Sequence, residues 1–360
     1  MWKLLLAFQI LFPILTDKPA AASASYYSRS ITIPSGTVGS DLTNFTMTFS
    51  GTYSYLAYAS SGGKAVNSNS GKDIVFGTTN TCSTLLKWDS RAYTSSSGAI
   101  VRKVKISITA ASDTVFYMCY GDSSRTTEQS DAANAYDAST SAVYGLDDGT
   151  TLSGADNKGG TTCALQNTPT AATGKVNGSG SFNGTSQYCT AGNVYDITSN
   201  ITLMGWIYPT NASGGNQTVA GKGYNGTDTA YEMGITAGSK FRFLTYYGSG
   251  GVTHGATGAT SLSNSTWYHV AGRFDGSTWK VYLNGAEDGT STDSSVPKST
   301  AEPFTIGALT SSGSPIQYFA GRADEVIVAN TNRHADWIAA VYANENSPGT
   351  FYTIGSEVSH

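Results

Sequence analysis

The chain has 360 residues, carries a formal net charge of −4, and only 13% of its residues are charged, about half the usual share for a soluble protein. A hydrophobic fraction of 39% is enough for a core and excludes wholesale disorder. No Lys/Arg stripe runs along the chain, which leaves nucleic-acid binding without support.

The N-terminus reads MWKLLLAFQILFPILTDKPAAASAS. Lys3, an apolar run from Leu4 to Leu15, and Ala22-Ser23-Ala24 fit a secretory signal over residues 1–24 with an A-x-A cleavage site. Pro13 and the shortness of the run argue against a membrane span, which needs about 20 residues. The alternative is a buried hydrophobic N-terminal segment. No later apolar run is long enough to cross a bilayer.

Residues 25–129 alternate apolar and polar side chains in short runs such as SITIP, FTMTFSG, KDIVFGT and TVFYMCYGD. Period-two patterning broken by Gly, Ser and Asn clusters predicts an antiparallel β-sandwich. In VRKVK, Val101 to Lys105, the charges are expected on a strand's solvated face. Residues 130–142, SDAANAYDASTSA, are small and polar and read as a linker. A second strand-rich block covers residues 143–330, and its regular turns suggest a jelly roll. In STWYHVAGRFDGSTWKVYLNGAEDG, Trp267, Trp279, Val281 and Leu283 are expected between two sheets, as is Trp206 in LMGWIYP. Within residues 331–360, RHADWIAAVYANEN predicts one helix, with Ala335, Ile338, Ala339 and Tyr342 on a shared face and Pro348-Gly349 stopping it. The fold class expected is therefore all-β: two β-sandwich domains with one short C-terminal helix.

Four cysteines, Cys82, Cys119, Cys163 and Cys189, fit two disulfides in an exported protein. Three connectivities are open. Pairing within each block, 82–119 and 163–189, is the simplest, and free buried thiols are the alternative. A zinc site has no C-x-x-C pair to build on.

ITLMGWIYP, STWYHVAGRFDGSTWKVYLNG, FTIGA and FAGRADEVIVAN fall in the order and spacing of the laminin-G-like, concanavalin A-like lectin/glucanase superfamily, which residues 140–330 resemble. The first block is similar to an uncharacterised domain of bacterial surface proteins, on SDLTNF, GKDIVF and the closing YMCYGD, where that domain ends in a YYGN-like motif. Such domains often precede a laminin-G-like module, with a tail like ADWIAAVYANENSPGTFYTIG after the pair. The resemblance implies an exported two-sandwich protein. It also implies that the tail folds back on the first domain, with TFYTIG completing that domain's sheet.

Candidate sites are few. Asp324 shares strand parity with Val326 and Val328, and a buried carboxylate is costly unless paired or bound to metal. Asp156 in GADNKGG matches an acidic position of laminin-G-like modules. Two such carboxylates with backbone carbonyls would suit Ca²⁺; the alternative is that Asp324 accepts backbone N–H bonds and pins a turn. Asp147 and Asp148 are weaker candidates. A ligand surface is expected at Tyr224 and Asn225 in KGYNGTD, Tyr246 and Tyr247 in LTYYGSGG, and Arg242 and His254 nearby. Retaining glycoside hydrolysis needs paired carboxylates about 5 Å apart, and Glu232 stands alone while Glu287-Asp288 sit in a turn. The leading expectation is a non-catalytic binding or adhesion protein that recognises glycans or a cell-surface protein. The second is a structural subunit of an extracellular filament, surface layer or virion appendage, self-assembling through edge strands such as SYYSRSITIP or TFYTIG. A glycoside hydrolase is the least favoured.

Overall fold

The computed structural model describes residues 26–67, 70–147, 149–248 and 251–360; residues 1–24, expected to be a signal, and Asp148 lie outside them. Almost every regular element is a strand, and the strands form two sandwiches with a helix at the C-terminus.

In the first sandwich Tyr27–Ile33 pairs antiparallel with Thr114–Tyr120, which is flanked by Val75–Gly77. The facing sheet is ordered Leu42–Thr52, Ala99–Ile108, Lys87–Thr94. Alternate residues of a strand point to opposite faces, so Phe45, Met47 and Phe49 enter one core with Val104, Ile106, Trp88 and Met118. A disulfide joins Cys82 to Cys119.

The chain's last residues return to this domain. Ile354 and Thr353 pair with Ile31 and Thr32, and Val358 and Ser359 pair with Ser28 and Tyr27. Tyr27–Ile33, expected as an exposed edge, is therefore hydrogen-bonded on both sides. The other sheet's edge, Leu42–Thr52, is covered by side chains instead of a strand. Asn344 accepts from the Thr48 amide (2.6 Å) and donates to the Thr48 carbonyl (3.0 Å), while the Tyr352 hydroxyl meets both Ser50 N and O. An amide side chain and a phenol thus satisfy backbone groups that would otherwise invite another strand.

The second sandwich packs a sheet ordered Ala286–Thr292, Thr278–Leu283, Tyr268–Phe274, Ile201–Pro209, Ala320–Ala329, Gly178–Asn183, Thr170–Thr173 against a second one. That sheet runs Val252–Ser261, Lys240–Tyr247, Thr229–Ile235, Gln217–Tyr224, Phe304–Ile306, Tyr188–Gly192, Ala164–Gln166. Trp279, Val281, Phe243, Phe274, Tyr231 and Val219 fill the space between them, with Leu283 at its margin. Cys163 and Cys189 form the second disulfide within this core. Trp267 lies elsewhere: it is half-buried and packs at a tilt against Tyr208, ring centroids 5.3 Å apart.

The two sandwiches share a buried interface, and it overturns several expectations. Met204, Ala271 and Tyr282 of the second sandwich belong to the first sandwich's apolar cluster. Trp206 is buried but faces this interface, where its indole N–H donates to Glu345 at 2.7 Å. Lys103 is only 2% exposed, because the far face of its strand meets the second sandwich and the helix. Its ammonium pairs with Glu325 (2.7 Å) and Glu345 (2.6 Å), and Arg91 pairs with Glu325 (2.8 Å) and Asp147 (2.9 Å). Arg102, also buried, donates to the Ala92, Val101 and Ser70 carbonyls. Helix α1 (Ala335–Asn346) is wedged between the domains and buries Ile338, Ala340, Val341, Asn344 and Glu345. The face expected from spacing is only partly right, since a wedged helix is covered on two sides; Ala339 and Tyr342 instead lie against Gly285 of the second sandwich. A single-turn helix α2 (Pro348–Phe351) follows. The stretch read as a linker is packed as well: Asp131 N bonds to the Trp88 carbonyl, the Tyr136 hydroxyl to Asp89 (2.8 Å), and Thr140–Tyr144 joins the second sandwich as a strand.

Candidate ligand cleft

On the Lys240–Tyr247 strand, Phe241 and Phe243 point into the inter-sheet core. Alternation then turns Arg242, Leu244 and Tyr246 to the outer face. A hairpin, Leu309–Ser311 and Ser314–Ile316, folds over this face and is braced by Glu302, whose carboxylate accepts from Gly313 N. Between hairpin and sheet lies a cleft of about 220 Å³. Tyr224, Tyr246 and Thr229 line it from the sheet, and Leu309, Ile316 and Gln317 from the hairpin side.

Beneath the cleft is a buried polar chain. Glu232, wholly buried, accepts from Thr218 Oγ1 (3.1 Å) and from Arg242 Nη2 (2.6 Å). The same Arg242 nitrogen donates to Gln317 Oε1 at 2.7 Å. Gln317 holds a left-handed backbone (φ 51) and its carbonyl accepts from Thr218 N. Burial raises the pKa of the Tyr246 hydroxyl, with the Glu232 charge adding to the effect, so the cleft presents it as a neutral phenol.

The expected ligand residues therefore divide. Tyr224 and Tyr246 line the cleft and Arg242 lies just under it. Asn225 closes a turn, its Oδ1 accepting from Thr227 N (3.0 Å) and Asp228 N (2.9 Å). Tyr247 and His254 point to the other face of the sheet. There the two rings lie 4.5 Å apart, Lys298 sits 4.1 Å over Tyr247, and His254 Nδ1 meets Asp293 at 2.7 Å. Thr229, Leu309, Ile316 and Gln317 were not expected. Gln317 is 75 residues from Arg242, and no local pattern marks it.

The carboxylates expected to hold a cation serve separate turns. Asp156 accepts from Val143 N (2.9 Å), Lys158 N (3.0 Å) and Gly160 N (3.1 Å). Asp324 Oδ2 accepts from Lys175 N (2.7 Å) and Val176 N (2.8 Å). The parity that placed Asp324 with the core valines is broken by a β-bulge at Glu325 (φ 52), between the pairs Trp206–Asp324 and Met204–Ile327. A bulge adds one residue and shifts the alternation. Val326 and Val328 stay in the core, whereas Asp324 is turned to the 174–176 loop. Burial drives the Asp324 carboxyl well above its ordinary pKa, and the nearby Glu325 charge reinforces this. Among the described residues no group of three or more His, Cys, Asp or Glu side chains is placed to hold a metal ion.

Residues 183–339 match the family model of the concanavalin A-like lectin/glucanases superfamily. The matched segment covers most of the second sandwich and the start of α1. No curated protein sequence matches this one. Among solved structures the chain is similar to domain 4 of an extracellular arabinanase from Geobacillus stearothermophilus, in complex with arabinotriose: identity 17%, 56% of this chain and 98% of that one covered, TM-score 0.44. It is similar also to the binding domain of Paraclostridial Mosquitocidal Protein 1 (11% identity, 57% and 52% covered, TM-score 0.45). A third is the SAP-like pentraxin of Limulus polyphemus (13% identity, 50% and 92% covered, TM-score 0.37). Likeness at this level transfers no ligand to this chain.

Proposed function

We propose that this chain is an exported, non-catalytic binding protein that holds a glycan in the cleft between Tyr224 and Tyr246. The cleft itself carries the reading: two tyrosines and a carboxamide converge on a concave surface built on a rigid sheet, the arrangement expected of a small-ligand site. The acid beneath it supports binding over hydrolysis. Glu232 is buried and held by Arg242, whereas glycoside hydrolysis needs two carboxyls free to exchange protons or attack. The two disulfides support export, since such bonds persist in oxidising compartments. Among the described residues no helix is long and apolar enough to cross a membrane. The match of residues 183–339 to a lectin-containing superfamily supports the same reading.

A glycan array followed by isothermal titration of the hits tests it. Tyr246→Ala should weaken binding about tenfold or more, as loss of a packed aromatic contact worth about 1.4 kcal/mol would. Binding to no glycan, or binding that Tyr246→Ala and Tyr224→Ala leave untouched, would remove the proposal.

A further inference from the structure

The hydrogen-bond chain beneath the cleft fixes what the cleft can recognise. Arg242 has only donors, so the Gln317 oxygen must be the atom it meets at 2.7 Å. The orientation of a glutamine amide is usually a matter of assignment, but here the partner decides it. The Gln317 NH₂ group is consequently turned away from Arg242, and among the described residues it makes no hydrogen bond. Gln317 cannot drift, because its own carbonyl is held by Thr218 N, and Arg242 is anchored by buried Glu232. Thr229 also lines the cleft, but its Oγ1 is sealed from solvent and faces no ligand. Beside them lies apolar surface, Leu309 and the 37%-exposed Ile316.

A fixed N–H donor beside an apolar patch complements the carbonyl and the methyl of an acetamido group. We infer that the cleft selects a 2-acetamido sugar. The amide carbonyl is received by Gln317 and the methyl by Leu309 and Ile316, with the ring against Tyr224 and Tyr246. At about 220 Å³ the cleft lies below the ~300 Å³ at which drug-sized pockets begin, which suits one sugar ring. Arg242 acts as a positioning residue through Gln317. This inference rests on the glycan-binding reading and narrows it.

The full exported chain would be titrated with N-acetylglucosamine and N-acetylgalactosamine, and in parallel with glucose and galactose. The acetamido sugars should bind at least about tenfold more tightly, the scale of one well-made hydrogen bond. Gln317→Glu keeps the length and a partner for Arg242 but removes the donor, and it should abolish that preference with the thermal midpoint of unfolding little changed. Arg242→Lys should reduce the acetamido-to-plain affinity ratio by less, an effect that mere loosening of the fold would not produce. Equal affinity for acetamido and plain sugars, or tight binding only of glycans without an acetamido group, would overturn the inference and leave the glycan reading standing. Binding to no saccharide would overturn both.

Discussion

Lys103 of the first sandwich and Glu345 of helix α1 meet at 2.6 Å with both side chains almost wholly buried, and the same ammonium reaches Glu325 of the second sandwich at 2.7 Å. One lysine thus joins three parts of the chain. Removing one member of such a group leaves charges buried without compensation, typically at about 3–5 kcal/mol. Lys103→Met should cost that much in denaturant unfolding, whereas Lys103→Met combined with Glu325→Gln and Glu345→Gln should recover a good part of it. A single variant as stable as the parent would show that the cluster is not what joins the domains.

The interface also contains an acid-sensitive element. His269 is buried with neither ring nitrogen hydrogen-bonded; it packs on Trp206, and Tyr342 lies nearby. Burial, and secondarily the Lys103 charge, lower its pKa to about 3, against about 6.5 in an unfolded chain. Between these values the unfolded chain takes up a proton that the folded one refuses, so stability falls as pH drops from 6.5 towards 3. The slope can reach about 1.4 kcal/mol per pH unit. Glu325, which burial pushes up but Arg91 and Lys103 hold below its usual pKa, adds a loss only at lower pH, beginning near about 4.3. His269→Phe should therefore flatten the stability curve between pH 6 and pH 4.5, measured by urea unfolding. An unchanged slope would exclude the histidine as its source.

How far sequence could reach is clear from particular residues. Strand patterning places Phe45, Met47, Phe49, Trp279 and Val281 in their cores, because alternation is a local property. It fails where a second layer covers a strand's other face. Lys103 and Arg102 look like a solvated face, and Trp206 like inter-sheet core, because nothing within VRKVK or LMGWIYP records the neighbouring domain. It fails again at Glu325, where one bulge residue reverses the parity assigned to Asp324. Tyr224, Arg242 and Tyr246 of the cleft could be picked as a tyrosine-rich turn and strand. Gln317 and Thr229 could not, since their role depends on a hairpin folding back across the sheet.

Asp324 offers a direct test of two roles for one carboxylate. Its Oδ2 accepts from the Lys175 and Val176 amides, and its pKa is raised by burial. Asparagine preserves an acceptor oxygen at nearly the same shape, so Asp324→Asn should change stability by less than about 1 kcal/mol. Asp324→Ala, which leaves amides unmet, should cost about 1–3 kcal/mol for the unsatisfied groups. Calcium should leave the thermal midpoint unchanged. An ion bound by these carboxylates at 100 times its Kd would add about 2.7 kcal/mol, and a stabilisation of that size would show that they serve a cation as well as the turn.

The two disulfides close loops with sequence separations of 37 and 26 residues. On the loop-entropy estimate each should contribute about 3–4 kcal/mol by restricting the unfolded chain. Replacing Cys82 and Cys119 by alanine should lower the stability of the first sandwich, and replacing Cys163 and Cys189 that of the second. Non-reducing peptide mapping checks the pairing, and bridges between the blocks would contradict it.

The C-terminal segment gives the sharpest test of how the domains depend on each other. Ile338, Ala340, Val341, Phe351 and Tyr352 all belong to the apolar core of the first sandwich, and the core of the second contains no residue beyond Val328. The tail also supplies strand partners for Tyr27–Ile33 and the side chains that cap Leu42–Thr52 at Thr48 and Ser50. On the second sandwich it covers only an outer face, at Thr202, Trp206, His269, Arg273 and Gly285. Deleting residues 331–360 should therefore strip hydrogen-exchange protection from residues 26–122, where buried side chains and ladder bonds are both lost. Residues 140–330 should keep most of theirs, and the ligand cleft, built on the sheet that faces away from the helix, should keep its affinity. Loss of protection confined to the second sandwich would reverse this account, because it would make the helix a part of that domain's fold.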